Sequence, residues 1–164
     1  MLVDGEVVRR APASRVADEP EYVFRHATVR EAAYAMLTDG DRKLGHLLAG
    51  EWLERAGEPS AVELAEHFER GKDPARAGVF YLHAAERAQR GSDTEGAMTL
   101  ARRGLASDPP DPIRVPLLAV LCESHAWRKE WGAAEPYAEA VMRLAPPGSA
   151  AARIATERGL DRKS

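Results

Sequence analysis

The sequence predicts an all-α protein built from short stacked helices, with a short β-hairpin at its N-terminus. Three observations support this fold class. Helix start and stop signals recur from Thr28 onward. Alanine is abundant and aromatic residues make up only 6% of the chain, so helix contacts are expected to be close and built from small side chains. Apolar stripes in two later helices recur at one constant spacing.

Two segments near the N-terminus are rich in β-forming residues. Residues 6–10 and 21–25 read EVVRR and EYVFR, and the polar loop between them contains two prolines. This pattern predicts a β-hairpin with a long loop. Because an isolated hairpin is only marginally stable, we expect it to pack against another element.

Capping residues mark the predicted helix starts. Thr28, Ser60 and Ser92 are each followed three residues later by glutamate, and this capping box satisfies free N–H groups of a first helical turn. Asp73 precedes Pro74, which favours a helix start because proline at the first helical position loses no hydrogen bond.

Gly71 and Gly91 lie where helices are expected to end in a left-handed residue. Together, these signals predict helices near residues 28–38, 41–56, 61–70, 74–90, 93–106, 116–129, 132–144 and 150–159. The connections are short, so we expect neighbouring helices to run antiparallel.

An internal repeat is the strongest signal in the sequence. The predicted helices at 93–106 and 132–144 each carry small or apolar residues on one face. These stripes are Ala97, Leu100, Ala101, Gly104 and Leu105, and Ala134, Tyr137, Ala138, Val141 and Met142. The offset is constant, since Ala134 follows Ala97 by 37 residues and Pro146 follows Pro109 by 37.

This unit resembles the tetratricopeptide repeat, a helix–turn–helix of about 34 residues with small residues at fixed places and a closing proline. The offset of 37 residues is longer than this unit, and the extra length lies in residues 109–112, which are expected to form a linker. The family's first-helix tryptophan and glycine are absent, and Pro136 is expected to kink or delay its helix. The resemblance implies a right-handed stack of antiparallel helix pairs with a concave groove.

A second resemblance covers residues 20–107. The segments EYVFRHATVREAAYAML, GHLLAGEWLERAG and ELAEHFERGKDPARAGVFYLHAAERA are similar to the region after the ATPase core of bacterial STAND-class signalling ATPases. Some of these are linked to kinases, adenylate cyclases or transcription activators. The resemblance implies that residues 1–27 are a hairpin remnant of a winged-helix segment and that residues 28–162 are the repeats. The sequence has no GxxxxGK[ST] loop and no kinase motif, so ATP hydrolysis is not carried over.

Composition and charge exclude several function classes. The net charge of -3 gives no overall attraction to nucleic acid or anionic lipid. Cys122 is the single cysteine, which rules out an internal disulfide. No apolar run approaches the roughly 20 residues of a membrane span, and no secretory signal is evident, so we expect a cytoplasmic protein.

No catalytic or metal-binding pattern stands out. The histidines are far apart in sequence and are expected to pack or cap helices; they are His26, His46, His67, His83 and His125. Cys122 lies on an apolar stripe and is expected to be a buried, inert thiol. The three tryptophans lie near helix ends, where they are expected to support packing; they are Trp52, Trp127 and Trp131. We expect no cofactor, no small-molecule substrate and no enzymatic activity.

The leading functional hypothesis is a protein- or peptide-binding regulatory module. In the repeat family, the first helix of each unit lines the groove. Carrying that register over selects Val79, Leu82, Glu86 and Gln89 in one unit and Ala119, Glu123 and Ala126 in the next. Such a surface suits a peptide with an apolar anchor and a basic residue, although packing against the preceding helix is the alternative role of Leu82.

The alternative is a nucleic-acid-binding transcription regulator that uses the hairpin. Arg9, Arg10 and Arg15 flank the hairpin loop and are suited to phosphate contacts. Acidic residues in and beside the same loop offset this charge, and no recognition helix is evident.

Overall fold

The computed structural model describes residues 7–14 and 19–159, which form two strands and eight helices. The strands are β1 Val8–Arg10 and β2 Tyr22–Phe24. The helices are α1 Ala27–Ala35, α2 Asp39–Arg55, α3 Ala61–Arg70, α4 Pro74–Arg90, α5 Thr94–Ala106, α6 Asp111–Trp127, α7 Trp131–Leu144 and α8 Ala150–Gly159. The expected mainly helical fold with a hairpin is confirmed. None of the described helices has the length and apolar character needed to cross a bilayer.

The hairpin is antiparallel, with Arg9 opposite Val23. Its strands are shorter than the predicted segments. It packs lightly on α1, a helix that itself buries no residue. Arg15, which was predicted to be suited to phosphate contacts, lies outside the described residues. The start of the first predicted domain, residues 1–6, and the end of the second, residues 160–162, lie outside them too.

Two of the predicted helix caps are confirmed. The hydroxyl of Ser60 accepts a hydrogen bond from the backbone N–H of Glu63 at 3.2 Å. The carboxylate of Asp73 accepts one from the N–H of Arg76 at 3.0 Å. Each cap satisfies one free donor of a first turn, which fixes where α3 and α4 begin.

The other two caps were wrong. Helix α1 begins at Ala27, so Thr28 lies inside it, and the N-cap residue His26 makes no side-chain cap hydrogen bond. The cap of α5 is Asp93, not Ser92, because the Asp93 carboxylate accepts from the N–H of Gly96 at 2.9 Å. Each proposed cap lay one or two residues from the N-cap residue of the structure, and at α5 the two short polar residues Ser92 and Asp93 are adjacent.

The left-handed residues also lie one position later than predicted. Gly71 and Gly91 have φ angles of -72° and -81°, whereas Lys72 and Ser92 have φ angles of 58° and 62°. Gly71 is needed for a different reason. A Cβ atom at Gly71 would lie 3.0 Å from the backbone nitrogen of Leu47, so the missing side chain lets α3 end against α2.

Helix α6 begins earlier than predicted. The segment read as a linker is partly helical, because α6 starts at Asp111 and has Pro112 in its first turn, where its missing N–H breaks no helical hydrogen bond. The helix continues through Pro116. Helix α7 likewise starts at Trp131 and continues through Pro136, so the expected delay of that helix was wrong.

The helices form a continuous succession in which each helix from α2 onward packs on the next. In addition, α4 packs on α6 and α6 packs on α8. Gly104, near the end of α5, lies against the first halves of α4 and α6. A Cβ atom there would be 2.9 Å from Leu117 Cδ1 and 3.0 Å from Tyr81 Cβ, so three helices meet closely at this glycine.

The alanines of the predicted repeat occupy matching core positions, whereas Met142, which was also placed on the α7 stripe, is 47% exposed. Ala97 and Ala101 are fully buried in a cluster between α4, α5 and α6. Ala134 and Ala138 are buried in a second cluster between α6, α7 and α8. The 37-residue offset therefore selects residues with the same packing role in two successive layers.

Two arginines tie the helices together at the surface. Arg103 of α5 lies 2.9 Å from Glu66 and 2.8 Å from Glu69, both on α3, and its guanidinium lies 4.9 Å from the centre of the Tyr81 ring. Arg76 of α4 lies 2.9 Å from Glu51 of α2. Each arginine therefore joins its own helix to another helix through charge-assisted hydrogen bonds.

Candidate peptide-binding groove

Three alternate helices, α4, α6 and α8, line an open cavity of about 620 Å³. The lining residues are Glu86, Gln89 and Arg90 of α4, Pro116, Ala119, Val120, Glu123 and Trp127 of α6, and Ala150, Ala151 and Ile154 of α8. On α6 the lining recurs every three or four residues from Pro116 through Val120 and Glu123 to Trp127, with Ala119 adjacent to Val120, which places it on one side of that helix. We refer to this cavity as the groove.

Four of the seven residues selected from the sequence line the groove. Glu86 and Gln89 contribute from α4, and Ala119 and Glu123 contribute from α6. The structure therefore brings together residues of α4 and α6 that were selected from two different predicted units.

The other three selected residues are not part of the groove lining. Leu82 packs against the core cluster of α4, α5 and α6, which is not the packing against the preceding helix that was expected as its alternative role. Ala126 is almost fully buried, and Val79 is partly buried. Sequence reasoning missed Trp127, although its four-residue spacing from Glu123 on α6 places it on the same side. It also missed the contribution of α8.

The charged residues give the groove an acidic character. Arg90 Nη1 lies 3.9 Å from Glu86 Oε2, one helical turn away on α4, so these two charges largely offset each other. Glu123 is half-buried and has no ion-pair partner within the described part of the chain. An unpaired carboxylate beside apolar surface is suited to a cationic group on a ligand.

Gln89 also holds two walls of the groove together. Its amide nitrogen lies 3.3 Å from Ser124 Oγ and 3.4 Å from the Val120 carbonyl oxygen, both on α6. Ser124 is fully buried, so this polar contact satisfies a hydroxyl that would otherwise be costly to bury. This contact joins α4 to α6 beside the groove.

The tryptophans keep large exposed fractions. Trp52 is 40% exposed, Trp131 is 41% exposed and Trp127 is 46% exposed. Each lies at or near a helix end, as expected, but each residue keeps a substantial part of its surface open to solvent. Trp127 alone lies in the groove, where an exposed indole is suited to anchor a ligand.

Distant histidines meet in the structure, which their sequence separation did not reveal. His46 Nδ1 lies 3.3 Å from His67 Nδ1, and the Tyr34 hydroxyl lies 2.9 Å from His46 Nε2. Burial, with a smaller contribution from His67 and Arg70, lowers the pKa of His46. Within residues 7–14 and 19–159, no group of three or more His, Cys, Asp or Glu residues is arranged to hold a metal ion.

The remaining candidates occupy packing positions or the surface. His125 Nδ1 lies 2.7 Å from Glu130 Oε2, and its ring stacks on Tyr137. His83 is exposed beside Phe80.

Cys122 is fully buried, and burial raises the pKa of its thiol, as expected for an inert side chain. Arg9 and Arg10 are exposed on β1.

A comparison of the chain with protein-family models, curated proteins and solved structures finds no match.

Proposed function

We propose that this protein is a non-catalytic helical repeat module of tetratricopeptide type that binds a short peptide in the groove. The observation that carries the proposal is the groove itself, an open and mainly apolar cavity bounded by three alternate helices. Antiparallel helix pairs stacked with one hand leave such a concave surface on the first helices of successive pairs. The equivalent burial of Ala97 and Ala134 supports the same repeat.

The chemistry of the lining indicates the kind of peptide. Ala151, Ile154 and the exposed part of Trp127 offer apolar contacts for one anchoring side chain. Glu123 offers a carboxylate for a lysine or arginine near that anchor. Complementary charge orients a ligand and improves specificity, while the buried apolar side chain supplies most of the binding free energy.

We further propose that this module is the C-terminal regulatory part, or a remnant, of a bacterial signalling ATPase, acting in the cytoplasm. The order and spacing of the residues quoted between positions 20 and 107 support this assignment. Peptide capture would then couple the presence of a partner protein to the state of the signalling system.

The test is selection of binding peptides from a random library on the immobilised chain, followed by calorimetry. We expect enriched peptides to combine a large apolar residue with a nearby lysine or arginine. Glu123→Lys should weaken their binding by roughly tenfold, because it replaces attraction by repulsion in a half-buried position. The matched control is Glu139→Lys, the same charge change at an exposed position of α7 outside the groove. Equal affinities for the wild type and Glu123→Lys would rule out this site.

A further inference from the structure

Helix α2 has an apolar stripe that no described element covers. On one side, α2 packs on α3 through Gly50 and the buried Leu53. On another side lie Leu44 and Leu48, each 54% exposed, and Trp52, which is 40% exposed. Their four-residue spacing aligns these three side chains along the helix.

The charges that flank this stripe are arranged symmetrically about Leu48. Asp41 lies seven residues before Leu48, and Arg55 lies seven residues after it. Seven residues correspond to about two turns, or about 10.5 Å of helix, so both charges fall on the same side of α2 as the stripe. Leu44 and Trp52 are likewise four residues before and after Leu48.

Both charged side chains are available for an intermolecular contact. Asp41 and Arg55 are exposed, and neither forms an ion pair with another residue of the described part of the chain. Among the residues that the structure describes, the Asp41 carboxylate accepts a hydrogen bond only from the hydroxyl of Thr38, at 2.7 Å, and from no cation. A helix with an acidic end, an apolar centre and a basic end is complementary to an antiparallel copy of itself.

We propose that α2 pairs with α2 of a second copy of this chain across a two-fold axis at Leu48. Leu48 then meets Leu48 of the other copy, Leu44 packs beside Trp52, and Asp41 faces Arg55. In such an isologous contact each interaction occurs twice. A Cβ atom at Gly45 would meet nothing within 4 Å, so the backbone beside the stripe is open to close approach. This surface uses none of the helices that line the groove and is independent of peptide binding.

The first test is sedimentation equilibrium of the full chain over a wide concentration range. We expect reversible dimers with a dissociation constant on the order of micromolar, since a single helix pair buries a small area. Leu48→Asp should raise that constant by roughly tenfold or more, because it places two carboxylates at the centre of the contact. Met142→Asp, at a residue of α7 that is 47% exposed, is the matched control and should leave it unchanged.

Charge reversal tests the antiparallel arrangement directly. Asp41→Arg places arginine opposite arginine in its own dimer, and Arg55→Asp places aspartate opposite aspartate. We expect each variant alone to dimerise roughly tenfold more weakly, and an equal mixture to recover wild-type association, because both charge pairs of the mixed dimer are attractive. Circular dichroism checks that every variant is folded. A wild type that stays monomeric at about 0.5 mM, or a mixture no tighter than its components, overturns the proposal.

Discussion

Tyr81 donates a 2.6 Å hydrogen bond to Glu69, which ties α4 to α3 at a position where the tyrosine ring is fully buried. Arg103 of α5 contacts the same carboxylate at 2.8 Å and lies over the tyrosine ring. Burial and the neighbouring carboxylate raise the pKa of Tyr81. Burial alone would raise the pKa of Glu69, but the hydrogen bonds from Tyr81 and Arg103 lower it. One carboxylate therefore joins three helices.

Removal of the Tyr81 hydroxyl should weaken this junction without emptying the core. Tyr81→Phe keeps the buried ring and deletes one charge-assisted hydrogen bond, so we expect a loss of about 1–2 kcal/mol in the free energy of unfolding. Urea denaturation followed by circular dichroism measures it. Tyr22→Phe, at a half-exposed residue of β2, is the control and should have little effect. Equal midpoints for Tyr81→Phe and the wild type would show that the bond contributes nothing.

The lowered pKa of Glu69 predicts a loss of stability in acid. A carboxyl whose pKa in the folded state lies below its ordinary value of 4.5 stabilises the fold at higher pH. That contribution is lost as the pH falls from about 5 through the folded-state pKa. Unfolding free energy measured between pH 3 and pH 7 should therefore fall less steeply in Glu69→Gln than in the wild type. A parallel pair of curves would contradict the assignment.

Gly104 and Gly132 should respond oppositely to the same substitution. Gly104→Ala places a Cβ atom 2.9 Å from Leu117 and 3.0 Å from Tyr81, so we expect a destabilisation of about 1–3 kcal/mol. A Cβ atom at Gly132 of α7 meets nothing within 4 Å, so Gly132→Ala should stabilise by about 0.5–1 kcal/mol through helix propensity. The denaturant midpoints of both variants check this. An unchanged midpoint for Gly104→Ala would show that α4 and α6 move apart easily to make room for the added methyl group.

The buried thiol of Cys122 should react slowly while the chain is folded. Its side chain is fully buried and its pKa is raised, so little thiolate is accessible at neutral pH. Titration with a chromogenic disulfide reagent should show slow labelling of the native chain and rapid labelling in urea. Met142→Cys provides a reference thiol at an exposed position and should react at once. Fast native labelling of the wild type would mean that the core between α6 and α8 opens readily.

Much of the helical organisation could be predicted from the sequence, because it depends on the spacing and capping of residues close together along the chain. The stripes of α5 and α7 are set by three- and four-residue spacing, and the caps at Ser60 and Asp73 by short polar side chains next to free N–H groups. The candidate groove was partly readable for the same reason, since Ala119 and Glu123 follow that spacing on α6. Leu82 was predicted to line the groove but packs on the core, because residue spacing does not show which side of α4 faces the core.

The sequence by itself determined the helix succession and the apolar stripes, since each depends on residues within a few turns of one another. Only the tertiary structure decided which distant residues meet. Arg103 contacts Glu66, 37 residues away, and His46 lies beside His67. The position of α8 beside the groove was likewise decided only by the tertiary structure. Such contacts depend on how helices are packed in space, and a repeating pattern along one chain shows which face of a helix is apolar but not which distant residues that helix meets.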